Sequence, residues 1–284
     1  MLLAIDIENK NTNFGIFEGE KLVTNFSIMT EKNRSTEEIK LTIKLILKDK
    51  KIDLSDISDI ILSTVVPELN SSYEIISREI IGKNPIVISA GVKTGLNIKC
   101  ESPREVGTDR IIRAVAATER FKENIIIISA SSVTTIDYIN DKKEFLGGLI
   151  LPGISLLQDS LVRGSGKLPR VEIKKPEDII GKNTEKAIQR GIYIGYNKAV
   201  FGIVDEIVKF HSLKKENTKI LVTGLKAHLL SNEIYTFEED QVLGIKGLKI
   251  IYDLNKNKAS WWSLFYWLYV KYWGDSLIRV SLFI

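Results

Sequence analysis

The chain has 284 residues, 44% of them hydrophobic and 27% charged, with a formal net charge of +4. That balance is typical of a globular protein long enough for two cored domains, and no basic cluster with interleaved aromatics points to nucleic acid. One cysteine and two histidines exclude an intrachain disulfide and a His/Cys zinc set. A metal here is expected to be a hard cation on carboxylate and phosphate oxygens, in a reducing, cytoplasmic setting with no leader before the first strand.

In chain order, residues 2–6 and 11–17 read as strands, Gly19 as a hairpin turn and 21–28 as a third strand. Ser35 and Glu38 have the spacing of a capping box. Ile39, Ile43, Ile46 and Leu47 then mark one apolar helix face. A buried strand is expected over 60–66, a helix over 68–81 and a short strand at Ile86–Ile88. Gly107 disfavours a helix interior, so the next helix is expected to start near Thr108.

The second half repeats the plan. Strands are expected at 125–129, 133–139 and 144–150, a helix after Gly153 and a long helix over about 184–211. Ala187, Gly191 and Gly195 make one face of that helix small, for packing or for close approach of another backbone. Strands at 219–223 and 248–252, with a turn at Gly224, complete the reading. Alternating strands and helices argue a layered α/β protein.

The two halves match at a fixed offset of 123 positions, which carries Asp6 to Ser129, Asn9 to Ser132, Thr12 to Thr135 and Ile16 to Ile139. A strand–turn–strand repeated in this way suggests a duplicated domain with phosphate at the turns. A carboxylate at a strand end can hold Mg²⁺, which keeps most of its waters, while turn amides and Asn9, Asn11, Thr12 and Asn13 cradle phosphate. A strand-end Asp is also a common turn former. Asp109, beside Arg110 at a helix start, reads either as a helix-start residue or as a general base next to a cation for an anionic substrate.

Several segments resemble one family. They are Asp6 with NTNFGIF, ILSTVVPELN at 61–70, GVKTGLNIKC at 91–100, EVGTDRIIRAVAA at 105–117, GGLILPG at 147–153, the stretch 168–196, and LGIKGLKIIYDLN at 243–255. Together they are similar to the type III pantothenate kinases of the actin-like, sugar-kinase-like ATPase superfamily. The resemblance implies an α/β protein of two duplicated actin-like (ribonuclease H-like) domains, 1–117 and 118–257, with a nucleotide cleft between them. It also implies ATP-dependent phosphorylation of pantothenate, the first step of coenzyme A biosynthesis, by in-line transfer that rests on positioning and charge neutralisation. Residues 6–13 (Asp6, Ile7, Glu8, Asn9, Lys10, Asn11, Thr12, Asn13) and Ser132 would then hold ATP, with Asp6 organising Mg²⁺. Cys100, Gly107, Thr108, Asp109, Arg110 and Thr184 would meet pantothenate, with Asp109 taking the proton from its primary hydroxyl. Position 129 would hold a monovalent cation, K⁺ or NH₄⁺, and the protein would be a homodimer.

This sequence departs from the family pattern at particular places. Glu8 replaces a Gly of the first turn, and Lys10 follows it. Ser129 replaces the carboxylate of the cation site, Cys100 replaces a Tyr, and Leu225 replaces a second Gly after Gly224. A catalytically impaired homologue acting as a binding or regulatory protein is the rival reading. After Asn257 the composition breaks. All four tryptophans fall in 261–273, in a segment 258–284 outside the family fold. It suits a membrane or partner contact, or a shifted reading frame, equally well.

Overall fold

The computed structural model describes residues 1–256. The first half opens with an antiparallel meander, β1 (Leu2–Ile7), β2 (Asn11–Glu18) and β3 (Lys21–Met29). Helix α1 (Thr36–Asp49) follows, with the expected capping box: Glu38 N–H donates to Ser35 Oγ at 3.3 Å, and Ser35 N–H donates to Glu38 Oε2 at 2.8 Å. Then come β4 (Asp59–Thr64), α2 (Asn70–Ile81) and β5 (Ile86–Val87). The sheet order is β3-β2-β1-β4-β5.

A two-residue strand β6 (Asn97–Ile98) and helix α3 (Thr108–Arg120) lead into the second half. It contains β7 (Asn124–Ala130), β8 (Val133–Ile139), β9 (Glu144–Pro152), α4 (Ile154–Gly164), α5 (Thr184–Phe210), β10 (Thr218–Thr223) and β11 (Glu238–Glu239). The second sheet runs β11-β10-β7-β8-β9-β6. Leaving out β6, this is the first sheet's plan over again. Registers agree as well: Asp6 lies opposite Ser63 of parallel β4, and Ser129 opposite Thr223 of parallel β10. The strands β6 and β11 went unforeseen because Asn97–Ile98 and Glu238–Glu239 carry no apolar run, unlike the equally short β5.

The expected strand at 248–252 is instead part of a helix, α6, over 243–256. The aliphatic run LKII looked like a strand, but its fully buried residues Leu248 and Ile251, with Ile245 before them, recur at the spacing of a helix. Leu248 and Ile251, with Ile245, pack on Leu2, Ala4 and Ile61 of the first sheet and on Ile112 and Val115 of α3. Lys249 pairs with Asp253 four residues on, a neighbour that a helix supplies and a strand does not. Helices α1 and α2 cover the opposite face of the first sheet through Ile39, Ile43, Tyr73 and Ile76.

Helix α3 lies between the two sheets. Ile111, Ile112 and Val115 face the first, while Ala114, Ala116 and Ala117 pack with Ile125, Ile127 and Phe145 of the second. Every residue from Ile111 to Thr118 is buried, as a helix covered on both sides requires. Helix α5 closes the far face of the second sheet through Ile188, Ile192, Tyr196 and Val200. Among the described residues, no helix is long and apolar enough to cross a membrane. The aromatic segment 258–284 lies outside the described residues.

Candidate active site

The ends of β1 and β7 point into the space between the sheets, and the start of α3 points at the same place. At the first turn, Glu8 N–H donates to Asn11 C=O at 2.9 Å, so residues 8–11 form the tight link between β1 and β2. At the second, residues 131–132 link β7 to β8. Gly153 N–H donates to Ser132 C=O at 3.0 Å, and a β-carbon on Gly153 would overlap the Ser131 and Ser132 carbonyls. Gly224 adopts φ +95° against this turn, where a β-carbon would lie 2.8 Å from Ser131 Oγ.

A cavity of about 310 Å³ joins these parts. It is lined by Glu8, Asn9 and Lys10 from the first turn, Gly107, Asp109, Arg110 and Arg113 from α3, and Ser129, Ser131 and Ser132 from the second turn. Gly107 caps α3 at its N-terminus. A β-carbon there would stand 2.5 Å from Asp109 Oδ1, so the missing side chain is what lets that carboxylate fold back over the helix start. Arg110 donates through Nε to Asp137 Oδ1 at 2.8 Å and through Nη2 to the same oxygen. Asp137 is fully buried, and burial pushes its carboxyl above the usual range while the Arg110 bonds oppose that shift. A β-carbon on Gly148 would meet both partners of this pair.

Asp6 borders a second, smaller cavity of about 40 Å³ with Glu8, Asn11, Asn13, Arg113 and Gly244. Its Oδ1 is buried without a hydrogen-bond partner. Burial holds the Asp6 carboxyl well above its usual range, Glu8 adds to this, and Arg113 opposes it. A buried oxygen with no donor in a space of ion size fits Mg²⁺, which needs only one or two protein carboxylates beside its waters and phosphate oxygens. Among the described residues, no group of three or more His, Cys, Asp or Glu is placed to hold a metal by itself.

Not every expected residue reaches the cleft. Ile7 is wholly buried and packs in the core beneath α1 and α2. Thr12 is buried and shares a 2.9 Å hydrogen bond with Thr30. Thr108 Oγ1 donates to Thr64 C=O at 3.0 Å, which ties the α3 start to β4. Cys100 lines a neighbouring cavity of about 310 Å³ with Gly147 and Gly148, and Glu105 and Arg110 border both this cavity and the cleft. Burial raises the Cys100 thiol's pKa. Thr184 lines a separate cavity, of about 880 Å³, with Ala187, Gly191 and Gly195. Among the described residues, Gly191 and Gly195 on the small face of α5 open on space, while Ala187 meets the backbone of Gly181.

Sequence reasoning missed Arg113, Asp137 and Gly244. Arg113 was within reach of it, since i and i+4 share a helix face. A lone carboxylate in the apolar strand VTTIDYI was a signal for Asp137. Nothing local marked Gly244, whose neighbour Asp6 lies at the other end of the chain.

Comparison with known proteins agrees with this architecture. A family model described as type III pantothenate kinase matches residues 2–206. A type III pantothenate kinase from Geotalea uraniireducens is 41% identical over 258 residues, which is 90% of this chain and 99% of that protein. Among solved structures, a Baf-family protein from Campylobacter jejuni superposes with a TM-score of 0.57 at 21% identity, covering 90% of this chain and 99% of that one. The activator of 2-hydroxyisocaproyl-CoA dehydratase from Clostridium difficile, solved with bound ADPNP, superposes with a TM-score of 0.53 at 13% identity, covering 91% and 97%. At these identities the structural matches establish the two-domain actin-like fold and nothing further.

Proposed function

Because the chain belongs to the type III pantothenate kinase family, we propose that its cleft transfers the γ-phosphoryl group of ATP to the primary hydroxyl of pantothenate, the step that opens coenzyme A biosynthesis. One observation carries this reading: Asp109 and Arg110 share a single cavity with both strand-end turns. Asp109 takes the hydroxyl proton, the freed oxygen attacks the γ-phosphorus, and the bond to the β-phosphate oxygen breaks to release ADP. Arg110, held in place by Asp137, meets the anionic substrate, and Gly107 leaves room for it. Asn9, Lys10, Ser131 and Ser132 offer donors to the phosphates, with Asn11 and Asn13 lining the smaller cavity beside Asp6. Mg²⁺, held by Asp6, would neutralise charge on the β- and γ-phosphate oxygens.

A monovalent cation does not fit position 129. Ser129 offers a hydroxyl there. The carboxylate on the adjacent strand, Asp137, has Oδ1 engaged by Arg110 and Oδ2 by Thr135. No step in this reading uses K⁺ or NH₄⁺.

The homodimer is part of the same proposal. The open face of α5, with exposed Leu156 and Leu161 on neighbouring α4, supports a second copy seated there. Thr184 borders that face, so its contact with pantothenate would be made across the interface. The division into 1–117 and 118–257 is also proposed, with α6 reaching from the second unit to pack on the first sheet. A coupled assay on the full chain with ATP, Mg²⁺ and pantothenate tests the function, run in K⁺ and again in tetramethylammonium. The expected result is formation of 4'-phosphopantothenate at similar rates in both. No turnover in a protein that still binds ATP would leave the binding-homologue reading in its place.

A further inference from the structure

Glu8 puts a carboxylate where the incoming triphosphate needs approach, which would by itself oppose nucleotide binding. The structure supplies an answer on α3. Arg113, 4% exposed, donates through Nη1 to Asp109 Oδ2 at 2.9 Å and through Nη2 to Glu8 Oε1, a residue 105 positions away. Burial works against the Arg113 charge, but Asp109, Glu8 and Asp6 together overcome it and hold the proton more firmly than usual. The other groups facing this point are Asp6 on β1, Asp137 on β8, and Arg110, Lys10 and Glu105 at the rim. Arg110 is already committed to Asp137. Asp6, Glu8 and Asp109 therefore depend on one guanidinium, whose planar fork reaches two carboxylates in fixed geometry.

We propose that Arg113 is a positioning residue that clamps the base Asp109 to the phosphate turn through Glu8, so that residues 8 and 113 are exchangeable only together. The inference rests on the kinase reading for what Asp109 does, and on geometry alone for the coupling. Two separate consequences follow from the two arms of the guanidinium. The Glu8 arm cancels a charge that would repel ATP. The Asp109 arm fixes the carboxylate where it meets the substrate hydroxyl. Removing Arg113 loses both, whereas removing Glu8 as well restores only the first.

The test is a double-mutant cycle with Glu8→Gln, Arg113→Gln and the double variant, with Arg113→Lys as the conservative variant. Calorimetry with ATP and Mg²⁺, in the absence of pantothenate, reads the Glu8 arm. Arg113→Gln is expected to weaken nucleotide binding at least tenfold, and the double variant to return it to within about threefold of the unmodified protein. Steady-state kinetics read the Asp109 arm. The kcat of Arg113→Gln is expected to fall at least tenfold and to stay low in the double variant, while Arg113→Lys recovers part of it through a single contact. Effects on nucleotide affinity that simply multiply would overturn the coupling. So would an Arg113→Gln protein with a lower melting temperature but unchanged kcat and affinity. If Arg113→Gln does not fold, Arg113→Lys with and without Glu8→Gln runs the same cycle, on the same criteria. An unmodified protein that binds ATP without phosphorylating pantothenate would count against the kinase reading, and the calorimetric cycle would still decide the coupling.

Discussion

At the scale of single residues, the start of α3 joins a backbone requirement to a chemical one. Gly107 has an ordinary φ of −55°, so its value lies in the space it leaves and not in a left-handed turn. An alanine there would press on Asp109 Oδ1, the free end of a side chain that yields by rotating away. Gly107→Ala is therefore expected to keep the fold, since an Ala cap costs only about 1 kcal/mol, while moving the base from its place and lowering kcat/KM by roughly tenfold or more. Asp109→Asn leaves the space unchanged and removes the base, with an expected loss of about 10² to 10⁴ in turnover. Thermal melts alongside kinetics separate the two effects. Wild-type turnover in the Asn variant would remove Asp109 from the mechanism.

At the scale of elements, α6 is the piece that locks the centre of the molecule. A β-carbon on Gly247 would overlap the carbonyl of Ile112, so α6 and α3 touch backbone to backbone. One turn earlier, Gly244 brings the same helix to 3.2 Å from Asp6 Oδ2, measured from where its β-carbon would be. Gly247→Ala is expected to destabilise the protein by about 1–3 kcal/mol, because a packed backbone contact has no slack to absorb a methyl group. On α5, Gly202 meets nothing within 4 Å of its β-carbon position and lies outside the cavity beside this helix. Gly202→Ala should be neutral or stabilising, by up to about 1 kcal/mol, from helix propensity alone. Denaturant melts of the two variants compare a filled contact with an open one. Equal effects would mean that the α3–α6 contact is not tight.

At the scale of the whole molecule, two sheets of the same order face each other across α3 and α6, and the cleft sits where β1 and β7 end. The large apolar cavity beside α5 lies elsewhere and has no catalytic group in its lining. Its size alone would make it the first guess for a ligand site, but the convergent polar groups are all in the smaller cleft. In the homodimer reading this cavity is closed by a second copy. Gly191→Arg is then expected to convert a dimer to a monomer in sedimentation equilibrium and to raise KM for pantothenate, with ATP affinity in calorimetry unchanged. A chain that sediments as a monomer without any substitution would end the dimer proposal.

Sequence alone determined whatever is written within a few residues. The Ser35–Glu38 cap, the start of α3 after Gly107 and the pairing of β1 with β2 all follow from local spacing. The duplication was legible too, because strand ends and turns recur at one offset, and that offset by itself located both turns of the cleft. Asp109 beside Arg110 was visible because the two are neighbours in sequence at a helix start. Tertiary structure decided the rest. Residues 248–252 are as apolar as a strand, and only the cover that the first sheet and α3 give to Ile245, Leu248 and Ile251 makes the run part of a helix. The sequence shows Glu8 in place of a Gly, and only the fold sets the Arg113 guanidinium, 105 positions away, against it. Thr184 and Cys100 proved to border other cavities, because proximity across the cleft depends on how the layers stack. Periodicity reports which side of an element is buried. Which partner buries it, and which charges meet there, is fixed only when contacts distant in sequence form together.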